Sequence, residues 1–146
     1  MKKLTHIVSI IVILKYRNKY LLVQRASSDE IFPGKWQNLG GKVEVGERLE
    51  EAIMREVKEE VGITLDKDIK PIFIQNYSWN KSEREIRRLG VVFMIKMERK
   101  PGSVKLSPEL ESYKWVSYNQ ANSLDTIGKS SETGTLAQLK IAEKFL

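Results

Sequence analysis

The sequence predicts a mixed α/β fold, built as one domain over residues 1–146. Three observations predict it. Apolar, β-branched runs open the chain, one long amphipathic helix occupies its centre, and further strand-like runs end in a terminal amphipathic helix. The length can bury a core without disulfides or structural metals. A hydrophobic fraction of 41% and a charged fraction of 30% are ordinary for a globular protein.

Residues 6–14 and 20–26 read as two strands of a hairpin about Arg17, Asn18 and Lys19. Residues 27–35 contain Pro33-Gly34 and read as a loop. Residues 36–39 form a short extended piece, and Gly40-Gly41 marks a tight backbone passage before a loop over 42–46. The best helix spans 48–61, with Gly62 as its terminator at positive φ. Residues 70–79 and 86–99 read as strands joined by a charged turn over 80–85. Residues 100–112 are a loop, Trp115-Val116 a short strand, and 117–124 a short helix with a Ser117-to-Gln120 capping pattern. A final helix covers 135–145.

Composition excludes several chemistries. With no cysteine there are no disulfides, thiolate nucleophiles or Cys-ligated zinc, which suits a cytoplasmic location. The single histidine, His6, excludes a His₂ metal site within one chain and stands beside a strand run, away from any motif. Acid–base work falls to carboxylates, Lys or Tyr, and any metal must be held by oxygen, which favours Mg²⁺, Mn²⁺ or Ca²⁺. The apolar run after Met1-Lys2-Lys3 lacks a small-residue cleavage site and is too short to span a bilayer, so no membrane contact is expected. Net charge is +6, but seven acids and three bases between Glu44 and Glu60 give that segment −4 and leave +10 elsewhere. Such a basic surround attracts a polyanion toward an acidic strip, or is simply a solvated surface.

The central helix conflicts with its own pattern. At about 100° per residue, Leu49, Ile53 and Val57, with Ala52 beside them, define the core-facing stripe. Glu56 and Glu60 fall on the edge of that stripe, and Glu59 lies just to one side, whereas Glu51 points away. Converging carboxylates at a buried edge repel one another. A divalent cation relieves that repulsion, and acids spaced three and four apart on a helix reach one point. The bland alternative is a solvated acidic face paired with Arg55 and Lys58.

These residues resemble a family pattern. The Nudix box, G-x5-E-x7-R-E-U-x-E-E-x-G-U with U aliphatic, is matched by Gly41, Glu47, Arg55, Glu56, Val57, Glu59, Glu60, Gly62 and Ile63. Outside the box, Leu21-Leu22-Val23-Gln24-Arg25, Gly34-Lys35-Trp36, Gly40-Gly41-Lys42-Val43-Glu44 and Glu109 followed by Trp115-Val116 resemble the MutT-like subgroup. The resemblance implies an α/β/α sandwich around a mixed β-sheet. It implies hydrolysis of a nucleoside diphosphate linked to another moiety, with Glu56, Glu59, Glu60 and the Gly40 carbonyl holding Mg²⁺ or Mn²⁺. Arg55, supported by Glu47, would orient the carboxylates. Glu56 is the first choice of general base, and Glu109 is either a second base or ligand, or a solvated loop acid.

The remaining site residues keep two readings each. Arg25 suits a phosphate contact or a structural role at a strand end. Trp36 and Tyr77 suit base stacking or core packing. Asn38 stands where a side chain approaches substrate. Lys81, Arg84, Arg87 and Arg88 suit phosphate steering or a solvated turn. The leading function is a MutT-like nucleoside triphosphate pyrophosphohydrolase. The alternatives are hydrolysis of a nucleotide sugar, a dinucleoside polyphosphate or an RNA 5′ end, and a silent nucleotide- or RNA-binding module. The last conflicts with a box that has lost no carboxylate. Family members are often homodimers.

Overall fold

The computed structural model describes residues 5–81 and 86–145. Strands β1 (Ile7–Tyr16) and β2 (Lys19–Arg25) form the expected hairpin, with Lys15 opposite Tyr20 and Tyr16 opposite Lys19. Beyond the turn they diverge. Strand β3 (Trp36–Gln37) pairs with β2, and β4 (Leu39–Lys42) pairs with β1, so the two short strands fill the opening between them. Helix α1 (Leu49–Val61) follows, then β5 (Ile72–Lys81) and β6 (Ile86–Met97). Strand β7 (Leu110–Val116), helix α2 (Tyr118–Ala121) and helix α3 (Thr135–Ala142) complete the order.

The seven strands make one mixed sheet. Its central seam is parallel, pairing β1 with β6 from Ile7 opposite Arg88 to Tyr16 opposite Met97. The β5–β6 pair is antiparallel, and β7 lies antiparallel on the outer edge of β2. Side-chain alternation divides β1 between two cores. Ile10, Val12 and Leu14 pack with Ala52, Ile53, Val57 and Val61 of α1. Ile13 packs on the other face with Leu136, Leu139 and Ala142 of α3 and Ala121 of α2. The result is the α/β/α sandwich that the resemblance implied.

Several local readings need correction. Strand β7 runs for seven residues and starts within the expected loop, because pairing with β2 supplies the order that its polar sequence, LESYKWV, does not advertise. The tight passage of Gly40 and Gly41 lies within strand β4, opposite Ile11 and Ile10, and Lys42, expected to open the loop, ends that strand opposite Ser9. Helix α3 stops at Ala142, short of residue 145. Strand β5 continues through Lys81, and the turn residues 82–85, Arg84 included, lie outside the described residues. A register shift between Phe73 and Gln75 brings Gln75 opposite Val92 and Tyr77 opposite Gly90. Tyr77 is thereby set on the α3 face. Among the described residues no helix is long and apolar enough to cross a membrane.

A polar contact helps to fasten the end of the terminal helix. The Tyr20 hydroxyl, carried on β2, donates to the Glu143 carboxylate just past α3. Glu143 is exposed and can be resolvated. Tyr20→Phe should therefore lower stability by about 1 kcal/mol, a fall in Tm of about 2–4 °C. Thermal unfolding checks this, and an unchanged Tm would remove the bond from the account of α3 docking.

Candidate active site

Burial of the apolar stripe of α1 fixes the helix on the sheet, and this brings Glu56 and Glu60 against β4. The Gly40 amide donates to Glu60 Oε1 at 2.7 Å. A Cβ at Gly41 would collide with the Glu56 carboxylate, and one at Gly40 would come within 2.5 Å of the Ile10 carbonyl oxygen. The two glycines are therefore a bare stretch of strand on which helix acids lie directly. The helix ends as its sequence predicts, at Gly62 with φ 72°, whose amide donates to the Lys58 carbonyl.

Arg55 organises the acidic strip. Its Nε and Nη2 donate to Glu47 Oε2 and Oε1 at 2.7 and 2.9 Å, a bidentate pair. Nη1 donates to Glu56 Oε1 at 2.8 Å and to Glu59 Oε2 at 3.3 Å, and Nη2 also donates to the Lys42 carbonyl at 2.8 Å. One guanidinium thus ties the β4–α1 loop to two helix acids.

The opposite wall comes from the loop before β7. The amides of Lys105 and Ser107 donate to the carbonyls of Val61 and Glu60, each at 2.9 Å. These carbonyls at the end of α1 would otherwise lack partners. The docking brings Ser107, Pro108 and Glu109 over the helix acids. The cleft between the walls has a volume of about 460 Å³ and is lined by Gly40, Gly41, Glu56, Glu59, Glu60, Ser107, Pro108 and Glu109.

Its electrostatics divide the acids. Burial pushes the Glu60 carboxyl up to about 8; the nearby Glu56 and Glu109 charges add to this, while the Gly40 amide and Arg25 oppose it. Burial also raises Glu56, against the pull of Arg55. Glu47 is held down to about 2, chiefly by Arg55 and then by the Glu44 amide. As positioned, no three acidic or imidazole side chains among the described residues converge on one point, and Arg55 is bonded to Glu56 and Glu59. The lining nonetheless fits a hard divalent cation. Its donors are all oxygen, and the acid bonded to Gly40 is buried beside two further acids.

A family model, that of the NUDIX domain, matches residues 4–138. The chain belongs to the NUDIX family. It is 36% identical over 104 residues to the nucleoside triphosphatase NudI of Salmonella typhimurium, covering 66% of this chain and 72% of that one. Among solved structures, a MutT protein from Methanosarcina mazei Go1 is 30% identical with a TM-score of 0.62, covering 79% of each chain. The E. coli dihydroneopterin triphosphate pyrophosphohydrolase is 25% identical with a TM-score of 0.67, covering 94% of this chain and 93% of that one. The NUDIX domain of Shewanella oneidensis NrtR, solved with ADP ribose, shares the fold at 17% identity and a TM-score of 0.73, covering 97% and 89%. The protein is a Nudix hydrolase.

The other expected site residues of this Nudix hydrolase do not line the cleft. Arg25 ends β2 and bonds Ile31, Asp29 and Gln37. Trp36 is buried in the core beneath α3, with Lys114 Nζ 5.2 Å from its ring centroid. Asn38 is buried too. Its Nδ2 donates to Gln138 Oε1 at 2.8 Å, and Gln138 Nε2 donates to the Thr133 carbonyl at 3.0 Å. A carbonyl only accepts, so this chain fixes both amides and leaves Asn38 Oδ1 as an acceptor without a partner among the described residues. Tyr77 stacks on Trp79 with ring centroids 5.1 Å apart, and burial raises its hydroxyl pKa.

Sequence reasoning missed Ser107, Trp79 and Gln138. Trp79 had a signal, because residues two apart on a strand share a face. Ser107 acts through its amide and Gln138 through a partner 100 residues away, so neither carries a motif.

Proposed function

We propose that this Nudix hydrolase cleaves a phosphoanhydride bond of a nucleoside triphosphate in a Mg²⁺-dependent reaction, releasing a nucleoside monophosphate and pyrophosphate. The acidic cleft carries this reading: Glu56, Glu59, Glu60 and Glu109 line one volume with a bare glycine floor. The triphosphate is supported by the likeness to NudI, a nucleoside triphosphatase.

Glu56, Glu59, Glu60 and the Gly40 carbonyl would hold the ion, with Mn²⁺ as the alternative. Bound there, the metal would neutralise phosphate oxygens and lower the pKa of a coordinated water. Glu56 takes the proton of the attacking water as general base, and its raised pKa suits that role. Arg55 keeps the Glu56 carboxylate aimed into the cleft. Glu109, on the facing wall, is the second candidate for the base. Tyr77, backed by Trp79, offers a stacking surface for the base of the nucleotide. Asn38 immediately precedes β4, two residues from Gly40, and its free acceptor suits an N–H of that base. Trp36 supports this region from within the core.

The test is a hydrolysis screen with Mg²⁺ and with EDTA. It covers the ordinary ribo- and deoxyribonucleoside triphosphates, 8-oxo-dGTP, ADP-ribose, nucleotide sugars, dinucleoside polyphosphates and a 5′-triphosphate RNA. Metal-dependent release of pyrophosphate from a triphosphate is the expected result. Turnover confined to another class replaces the substrate. Binding without turnover of any compound returns the protein to a nucleotide- or RNA-binding module.

A further inference from the structure

We propose that Arg25 is a positioning residue for Glu109: it anchors the end of β2, opposite the bulge in β7, against which the Glu109 turn rests, and acts through that carboxylate. The inference rests on the reading above in which Glu109 works in the cleft.

Arg25 is committed on every nitrogen of its guanidinium. Nε donates to the Ile31 carbonyl at 2.8 Å, Nη2 to Asp29 Oδ2 at 2.7 Å and Nη1 to Gln37 Oε1 at 3.4 Å. Its backbone closes the same loop, since its amide donates to the Lys35 carbonyl and its carbonyl accepts from Gly34. A planar fork that joins two residues of the β2–β3 loop to Gln37 of β3 is a clamp, and a lysine cannot reproduce it.

The clamp meets Glu109 at the next residue. The Ala26 amide donates to the Glu109 carbonyl at 3.2 Å. At this point the β2–β7 register slips: Gln24 stands opposite Ser112, but Arg25 stands opposite Leu110, so Glu111 is the extra residue. Ser27 Oγ donates to Glu111 Oε1 at 3.3 Å and holds the bulge. A slip of one residue turns following side chains to the opposite face, and bulges beside functional sites re-aim them. The other side of the turn is fixed independently, through Leu110 to Ser107 and Ser107 to the Glu60 carbonyl. Glu109 therefore has two anchors, one on α1 and one on the end of β2 that Arg25 holds.

The experiment is a double-mutant cycle of Arg25→Lys with Glu109→Gln, read on the triphosphate turned over fastest. Arg25→Lys should lower kcat between about 10- and 100-fold, as a small misplacement of a catalytic group does, with KM little changed. In the Glu109→Gln background it should cause no further loss. Asp29→Asn, which weakens the clamp and leaves the arginine charge in place, should lower kcat in the same direction. Hydrogen exchange supplies a readout that needs no substrate: Arg25→Lys should expose the Ala26 amide, while those of Leu110 and of α1 keep their protection. Additive losses in the cycle, a raised KM as the main effect, or unchanged exchange at Ala26 would each overturn the proposal. Wild-type activity in Glu109→Gln overturns both this inference and the role of Glu109 beneath it. An impaired Glu109→Gln with additive Arg25 losses overturns the inference alone.

Discussion

Glu60→Gln should lower kcat/KM by more than about 100-fold while the protein stays folded. Removing a group that merely supports a metal ligand already lowers affinity or activity by about 10- to 100-fold, and Glu60 is proposed as a ligand itself. The substitution keeps size and keeps an oxygen for the Gly40 amide, so the fold has little reason to respond. Its pH behaviour gives a second check. The folded carboxyl titrates near 8, above its ordinary value of 4.5. The folded state thus retains a proton that the unfolded chain gives up. Metal-free stability is fully present below the unfolded value and is lost as pH rises through the folded one. Glu60→Gln should remove that decline, so the variant becomes relatively more stable across this window. For the same reason Mg²⁺ binding at pH 7 should release close to one proton from the wild type and none from this site in the variant. Calorimetry in two buffers of different ionisation heat measures the difference. A fully active Glu60→Gln protein removes Glu60 from the metal site.

Gly41→Ala separates activity from stability. The added methyl would occupy the place of the Glu56 carboxylate. That carboxylate is the far end of a flexible, partly exposed side chain and can swing away, so stability should change by less than about 1 kcal/mol. The displaced group is the proposed base, however, and a displacement of about 1 Å can lower a rate on the order of 100-fold. Leaving its place also breaks the bond to Arg55 Nη1. Thermal unfolding and kcat, measured on the same preparation, test both halves. A variant that loses stability and activity together would mean that the glycine serves the strand and not the carboxylate.

What was legible in the sequence follows from how each feature is encoded. Helix α1 announced itself because its apolar residues recur with the helical period, and its acids announced themselves by interrupting that stripe. The β1–β2 hairpin was equally plain, since it needs only local contrast. Strand β7 was not, because its alternation of Leu110, Ser112, Lys114 and Val116 mixes polar and apolar residues, and its order comes from β2. Gly40 and Gly41 were legible as a tight passage but not as strand, because glycine is a poor strand former; here the absence of side chains serves a neighbour, as Glu56 and the Ile10 carbonyl demonstrate. The second wall of the cleft was legible only as a lone Glu109. Its placement depends on backbone amides and on a bulge, and neither is written in residue type.

The parallel seam at the middle of the sheet also sets an order of events during synthesis. Strand β1 finds its partner about 80 positions later, at β6, and the loop that completes the cleft lies later still, at Ser107 to Glu109. A nascent chain that has emerged only through α1 carries every acid of the box but has no central strand partner and no second wall. Contacts this distant in sequence form slowly, because the intervening chain must first be closed into a loop. Until Glu109 has left the ribosome and that loop has closed, the helix acids have no cleft to line, so the site proposed for metal and triphosphate arises late, as one of the last products of folding.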